Sequence, residues 1–153
     1  MKILLGTPIT GILNDKSKKR CLEREKFICE FINVLRSQGH EVFCAIEIEK
    51  FGEKIAPGEI CTQRDFEAMK KCDVYVAFPN DSYGCAVELG WASAFGKPIF
   101  LAINNAFGVK TPLYEGLGMI DTAQIKNYSS QLDFPQLDDK ELMESLNEFL
   151  NNI

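Results

Sequence analysis

The sequence predicts an α/β fold: a single-domain, flavodoxin- or Rossmann-like parallel five-stranded sheet with helices on both faces, spanning residues 1–153. Three observations lead there. Short apolar runs alternate with longer stretches of helical periodicity, the pattern of parallel strands joined by crossover helices. The run at 98–103 is apolar throughout much of its length, as a strand buried on both faces is. Finally, the apolar run at 73–78 passes through the loop 79–82 into a helix that carries a lone carboxylate, Glu88. Open parallel sheets bind ligands outside the carboxyl ends of their strands, so Glu88 is expected to point into a crevice.

The first strand is expected to start at Lys2 and to end in a turn at Gly6-Thr7-Pro8. Ile28, Phe31, Ile32 and Leu35 recur at helical spacing and Gly39 supplies a stop, which predicts a helix over about 18–38. Residues 41–46 read as the second strand. With Gly52, Pro57 and Gly58, residues 47–60 read as a loop overhanging the crevice. Thr62 is then expected to cap a short helix carrying Asp65, Phe66 and Met69. The third strand starts at Asp73, the fourth covers 98–103, and a loop runs to Pro112 before a short helix at 113–117. Residues 123–128 make a fifth strand. A final amphipathic helix at 138–150 carries Leu142, Met143, Leu146 and Leu150 on one face.

Composition narrows the function. Hydrophobic residues make up 46% and charged residues 25%, ordinary for a globular protein with one core. The net charge of −5 disfavours binding to a nucleic-acid polymer, which needs clustered cations on phosphates. Lys16-Ser17-Lys18-Lys19-Arg20 is a local exception, read as a solvated helix start. No apolar run is long enough to span a membrane, and the chain opens without the apolar stretch of a secretion signal, so a cytoplasmic location is expected. The six cysteines form no Cys-x-x-Cys pair and His40 is the only histidine, so neither a metal nor a cofactor is expected. Cys85 lies near the proposed crevice but has no electropositive neighbour in sequence to make its thiol reactive.

Two carboxylates are singled out. Glu88 could be a helix residue placed favourably toward the positive end of the helix dipole, but Gly84 and Gly90 on either side allow a ligand or backbone to approach closely. Asp65, three residues after Thr62, fits either a capping role or chemistry.

The stretch from Asp65 to Pro98 resembles the nucleoside 2-deoxyribosyltransferase family and its relatives that hydrolyse nucleotide N-glycosidic bonds. The likeness rests on Asp65 eight residues before Asp73 at a strand start, on Gly84 through Glu88-Leu89-Gly90, on Gly96-Lys97-Pro98, and on the first-strand turn at Gly6-Thr7-Pro8. The resemblance implies that Glu88 attacks the anomeric carbon to form a covalent glycosyl-enzyme and that Asp65 holds the base and assists proton transfer. It also implies substrate contacts from Gly6, Thr7, Pro8, Asp81, Ser82, Gly84 and Thr111. Transfer of a (deoxy)ribosyl group to another nucleobase is the leading expectation. The alternatives are hydrolysis of a nucleoside 5′-monophosphate, or a nucleotide-binding sensor without turnover.

Ser82 stands six residues before Glu88, where nucleoside-binding members carry an aspartate for the 5′-hydroxyl and nucleotide hydrolases a serine suited to phosphate; Asp81 is one residue further away. Two departures from the family remain: no basic residue in the first turn before Lys16, and no aromatic at the end, Leu150-Asn151-Asn152-Ile153. Among the aromatic residues Phe43, Phe51, Phe78, Tyr83 and Trp91, Phe43 and Phe78 are expected in the core, and Tyr83 and Phe51 are the better candidates to stack on a base. The family's shared sites imply a homodimer or larger homo-oligomer, with Asn105 or Thr111 reaching toward the neighbouring subunit.

Overall fold

The structure, a computed structural model, describes residues 1–9, 22–80, 82–106, 111–130 and 134–153. Five strands, β1 (Lys2–Gly6), β2 (Glu41–Phe43), β3 (Val74–Ala77), β4 (Ile99–Asn104) and β5 (Ala123–Tyr128), form one sheet in the order β2-β1-β3-β4-β5. Every pairing is parallel. This is the flavodoxin-like arrangement, in which the strand order reverses between β1 and β3.

Alternation along each strand divides the core into two layers. Ile3, Leu5, Val74, Val76, Phe100 and Ala102 face one side, where helix α1 (Leu22–Ser37) packs Phe27, Ile28, Phe31 and Leu35, and the C-terminal helix packs Leu142 and Leu146. Leu4, Tyr75, Ala77, Ile99 and Leu101 face the other, where two further helices supply Met69, Leu89 and Ala92. Helix α1 ends in a Schellman motif at Gly39 (φ 86°): Gly39 N–H donates to Arg36 O and His40 N–H to Leu35 O. The expected helix start at 18–21 lies outside the described residues.

The segment between β2 and β3 departs from expectation. β2 stops at Phe43, and residues 45–46, expected to continue it, begin a short helix α2 (Ala45–Ile48), followed by a 3₁₀ turn (Lys50–Gly52). An apolar run this short carries no periodicity to separate strand from helix, and burial of Ala45 and Ile46 satisfies either. Helix α3 runs Gly58–Lys71, so the loop expected at 47–60 is mostly turned structure. Pro57, with φ −54°, stands at the helix entry, and Thr62 lies within the helix rather than capping it.

Helix α4 (Tyr83–Ala94) follows β3, and its N-cap is Ser82, whose Oγ accepts the Cys85 N–H. Helix α5 (Pro112–Gly116) continues into a 3₁₀ turn (Leu117–Met119). Helix α6 (Lys140–Asn151) buries Leu142, Leu146, Phe149 and Leu150; Met143 is only partly buried, and Phe149 completes the apolar face in its place. No helix among the described residues is long and apolar enough to cross a membrane.

Candidate active site

At the reversal of strand order, Gly6 of β1 lies in register with Ala77 of β3, and the chain leaves both strands at the same end of the sheet. There a cleft of about 360 Å³ opens between the turn after β1, helix α3 and the start of α4. Glu88 and Asp65 both line it. The two residues singled out in the sequence thus share one space.

Glu88 is the sixth residue of α4, on the turn that faces the sheet. Tyr75 of β3, fully buried, donates its hydroxyl to Glu88 Oε2 at 2.9 Å. Burial, and then the neighbouring Glu88, hold the Tyr75 phenol well above its ordinary pKa, so it stays protonated and remains a donor. Burial also raises the Glu88 carboxyl, from 4.5 to about 7; the Tyr75 hydrogen bond opposes that rise, the negative Asp65 adds to it, and Arg64 opposes it. The result is an acid that changes charge near neutrality, a common property of catalytic groups.

Tyr75 escapes notice in the sequence, because a tyrosine in an apolar strand reads as core. Its one available signal was the polar end of a side chain that, when buried, needs a partner. Gly6 is explained by the same residue. A Cβ on Gly6 would collide with the Tyr75 hydroxyl and lie 2.8 Å from its Cζ. Gly6 does not line the cleft; its missing side chain makes room for the tyrosine that holds Glu88.

Asp65 projects from the middle of α3 and is not a cap. Arg64 Nε donates to Asp65 Oδ1 at 2.8 Å, and Arg64 Nη1 donates to Glu49 Oε1 at 2.6 Å. Glu49 lies 1% exposed, and the Ala56 N–H donates to its Oε2 at 2.8 Å. Burial works against the Glu49 charge, but Arg64, the Ala56 amide and the Cys61 thiol together hold its carboxyl below the ordinary value.

Thr7 and Ser82 line the cleft close to the ends of β1 and β3, and Gly84 exposes backbone at the mouth of α4. Pro8 is buried and does not line it. Asp81 lies outside the described residues. Thr111 caps α5 and lines a neighbouring groove of about 750 Å³, separated from the cleft by Ser82 and Tyr83, which border both. Asn105 is exposed at the end of β4.

Of the aromatic candidates, Tyr83 stands 91% exposed at the cleft and can lie against a planar ligand. Phe51 does not: it packs against the core layer of α1 and α6. Trp91 lines the cleft, its ring set edge-on to Phe66 at 5.2 Å. Cys85 is buried, and burial followed by the charge of Glu88 pushes its thiol far up, which disfavours the thiolate a nucleophile needs.

A flavodoxin-like sheet with a cleft at its switch point, lined by two carboxylates, is the arrangement in which α/β proteins hold small ligands. The chain belongs to the nucleoside 2-deoxyribosyltransferase family, whose sequence profile matches residues 5–145. Among solved structures it is similar to the CMP N-glycosidase BcmB of Clostridium botulinum, at 25% identity and a TM-score of 0.66 over 97% of this chain and 99% of that one. BlsM is similar at 26% identity and a TM-score of 0.69, over 99% and 92% of the two chains. The 2-deoxyribosyltransferase of Bacillus psychrosaccharolyticus, at 23% identity and a TM-score of 0.54 over 93% and 96%, shares the fold. Comparison with curated protein sequences gave no match.

Proposed function

We propose that this protein cleaves the N-glycosidic bond of a (2′-deoxy)nucleoside through a covalent glycosyl-Glu88 intermediate and transfers the sugar to another nucleobase. The observation that carries this reading is the Tyr75–Glu88 hydrogen bond in a cleft that Asp65 also lines. With Oε2 engaged by the phenol, Oε1 is free to attack C1′. The C1′–N bond breaks as the C1′–O bond forms, and the base departs with the bonding pair, taking a proton with help from Asp65. In the ester that results, Tyr75 still donates to the Glu88 oxygen outside the new bond. A nitrogen of the second base then attacks C1′, expels the Glu88 carboxylate and loses its proton.

A specific observation favours a second reading, hydrolysis of a nucleoside 5′-monophosphate. Ser82 rather than a carboxylate caps α4 beside the cleft, and a helix N-terminus suits an anion. The 25% identity to an enzyme named as a CMP N-glycosidase points the same way.

Chromatography of a panel of nucleosides and their monophosphates, incubated with the protein with and without a second free base, tests both. Base exchange that depends on the acceptor supports transfer, and release of free sugar phosphate supports hydrolysis. Binding of a nucleotide without release of base from any member of the panel would leave only the sensor.

A further inference from the structure

Glu49 is buried, although it does not line the cleft. It stands where the chain leaves α2, and the two residues after it, Lys50 (φ 49°) and Phe51 (φ 53°), adopt the left-handed region that side-chain-bearing residues avoid. Its carboxylate gathers the Ala56 N–H, the Cys61 thiol at 3.4 Å and the Arg64 guanidinium. A buried ion pair is a poor way to gain stability, since well-packed apolar side chains of similar size serve as well or better. Strain and buried charge together call for another reason.

The reason lies in what Arg64 does next. Consecutive residues on a helix point in different directions and do not ordinarily face each other. Arg64 nevertheless folds back so that its Nε reaches the carboxylate of Asp65. A long side chain loses much rotamer freedom in such a pose, and Glu49 holds its far end. We infer that Glu49 and Arg64 are positioning residues: they form a clamp that ties Oδ1 of Asp65 and leaves Oδ2 free in the cleft for the departing base. The inference rests on the reading of Asp65 given above, and it adds to the site two residues that touch no substrate.

The test uses the full-length chain with Glu49→Gln, Arg64→Met and the double variant, since removing both partners of a buried pair spares the fold the cost of an orphaned charge. The conformation of Asp65 is read by NMR side-chain couplings in labelled protein, and steady-state kinetics are run on the nucleoside or nucleotide that wild type cleaves. Asp65 is expected to hold one rotamer in wild type and to populate others in all three variants. For each, kcat is expected to fall by about 10- to 100-fold while KM moves by less than about threefold. The double variant is expected to be no slower than the slower single one, because the two residues act as a unit. A single unchanged Asp65 rotamer, an unchanged kcat, or a double-variant loss equal to the product of the single losses would each overturn the clamp. Freed rotamers in variants of a protein whose wild type releases no base would leave the clamp standing and remove the glycosidic reading instead.

Discussion

The chemistry proposed for this cleft turns on the charge of one carboxyl group. In the proposed reaction Glu88 attacks only as the anion, so kcat/KM is expected to rise with pH through about 7, and Tyr75→Phe, which removes the hydrogen bond favouring the anion, should move that limb upward. A pH–rate profile of the two proteins checks the shift; an unmoved limb would mean that another group sets it. Glu88→Gln should abolish base release, costing several orders of magnitude in rate while leaving the fold intact. It should also stabilise the protein at alkaline pH. Because the folded-state pKa lies above the ordinary 4.5, folding takes up a proton, and stability falls as pH rises from about 4.5 through about 7. The glutamine escapes that loss. Its advantage should be absent well below 4.5 and reach at most about 3 kcal/mol above 7, less to the extent that solvent reaches the carboxylate. Thermal melts across pH measure it, and an advantage that is the same at every pH would place its origin elsewhere.

At the scale of elements, α3 and α4 each bring one carboxylate to the cleft by different means. Ser82→Ala removes the cap of α4 and should cost about 1 kcal/mol, read as a lowered denaturant midpoint. Asp65→Asn should lower kcat far more than it lowers stability, because an amide still accepts from Arg64 Nε but cannot pass a proton. Normal activity per folded molecule would confine Asp65 to structure.

The sequence was legible where periodicity was long or turn chemistry unambiguous. The amphipathic run Ile28 to Leu35 with its Gly39 stop, the strand before Glu88 and the fifth strand all appear where expected. It was misleading between Phe43 and Asp65. Gly52, Pro57 and Gly58 read as loop punctuation, yet Pro57 and Gly58 stand at the start of α3. The same misreading made Thr62 a cap and hid the partners of Asp65. Glu49 and Tyr75 were invisible for a different reason, since both matter through contacts that exist only once distant segments have packed.

For the whole molecule, exposed apolar side chains gather at the groove beside the cleft. Tyr83, Leu113, Met119 and Ile120, all exposed, lie on or next to it. Exposed apolar side chains gathered at one groove are suited to a contact surface. The expected occupant is a second copy of the chain, so light scattering should report a dimer or larger closed assembly, and Leu113→Glu should weaken it. A monomer fully active at nanomolar concentration would remove the shared site.

The sheet order that creates the switch point also sets β1 beside β3, and with it Gly6 against Tyr75. These two positions are sterically coupled. A descendant that gains a methyl group at 6 must shrink or displace the ring at 75, and in doing so it surrenders the donor that holds Glu88. Under the proposed mechanism, drift at position 6 is therefore limited by the tyrosine that holds Glu88 rather than by contact with substrate. A lineage that abandoned turnover and kept only binding would be free of that restriction, and a bulkier residue at position 6 would be an early mark of the change.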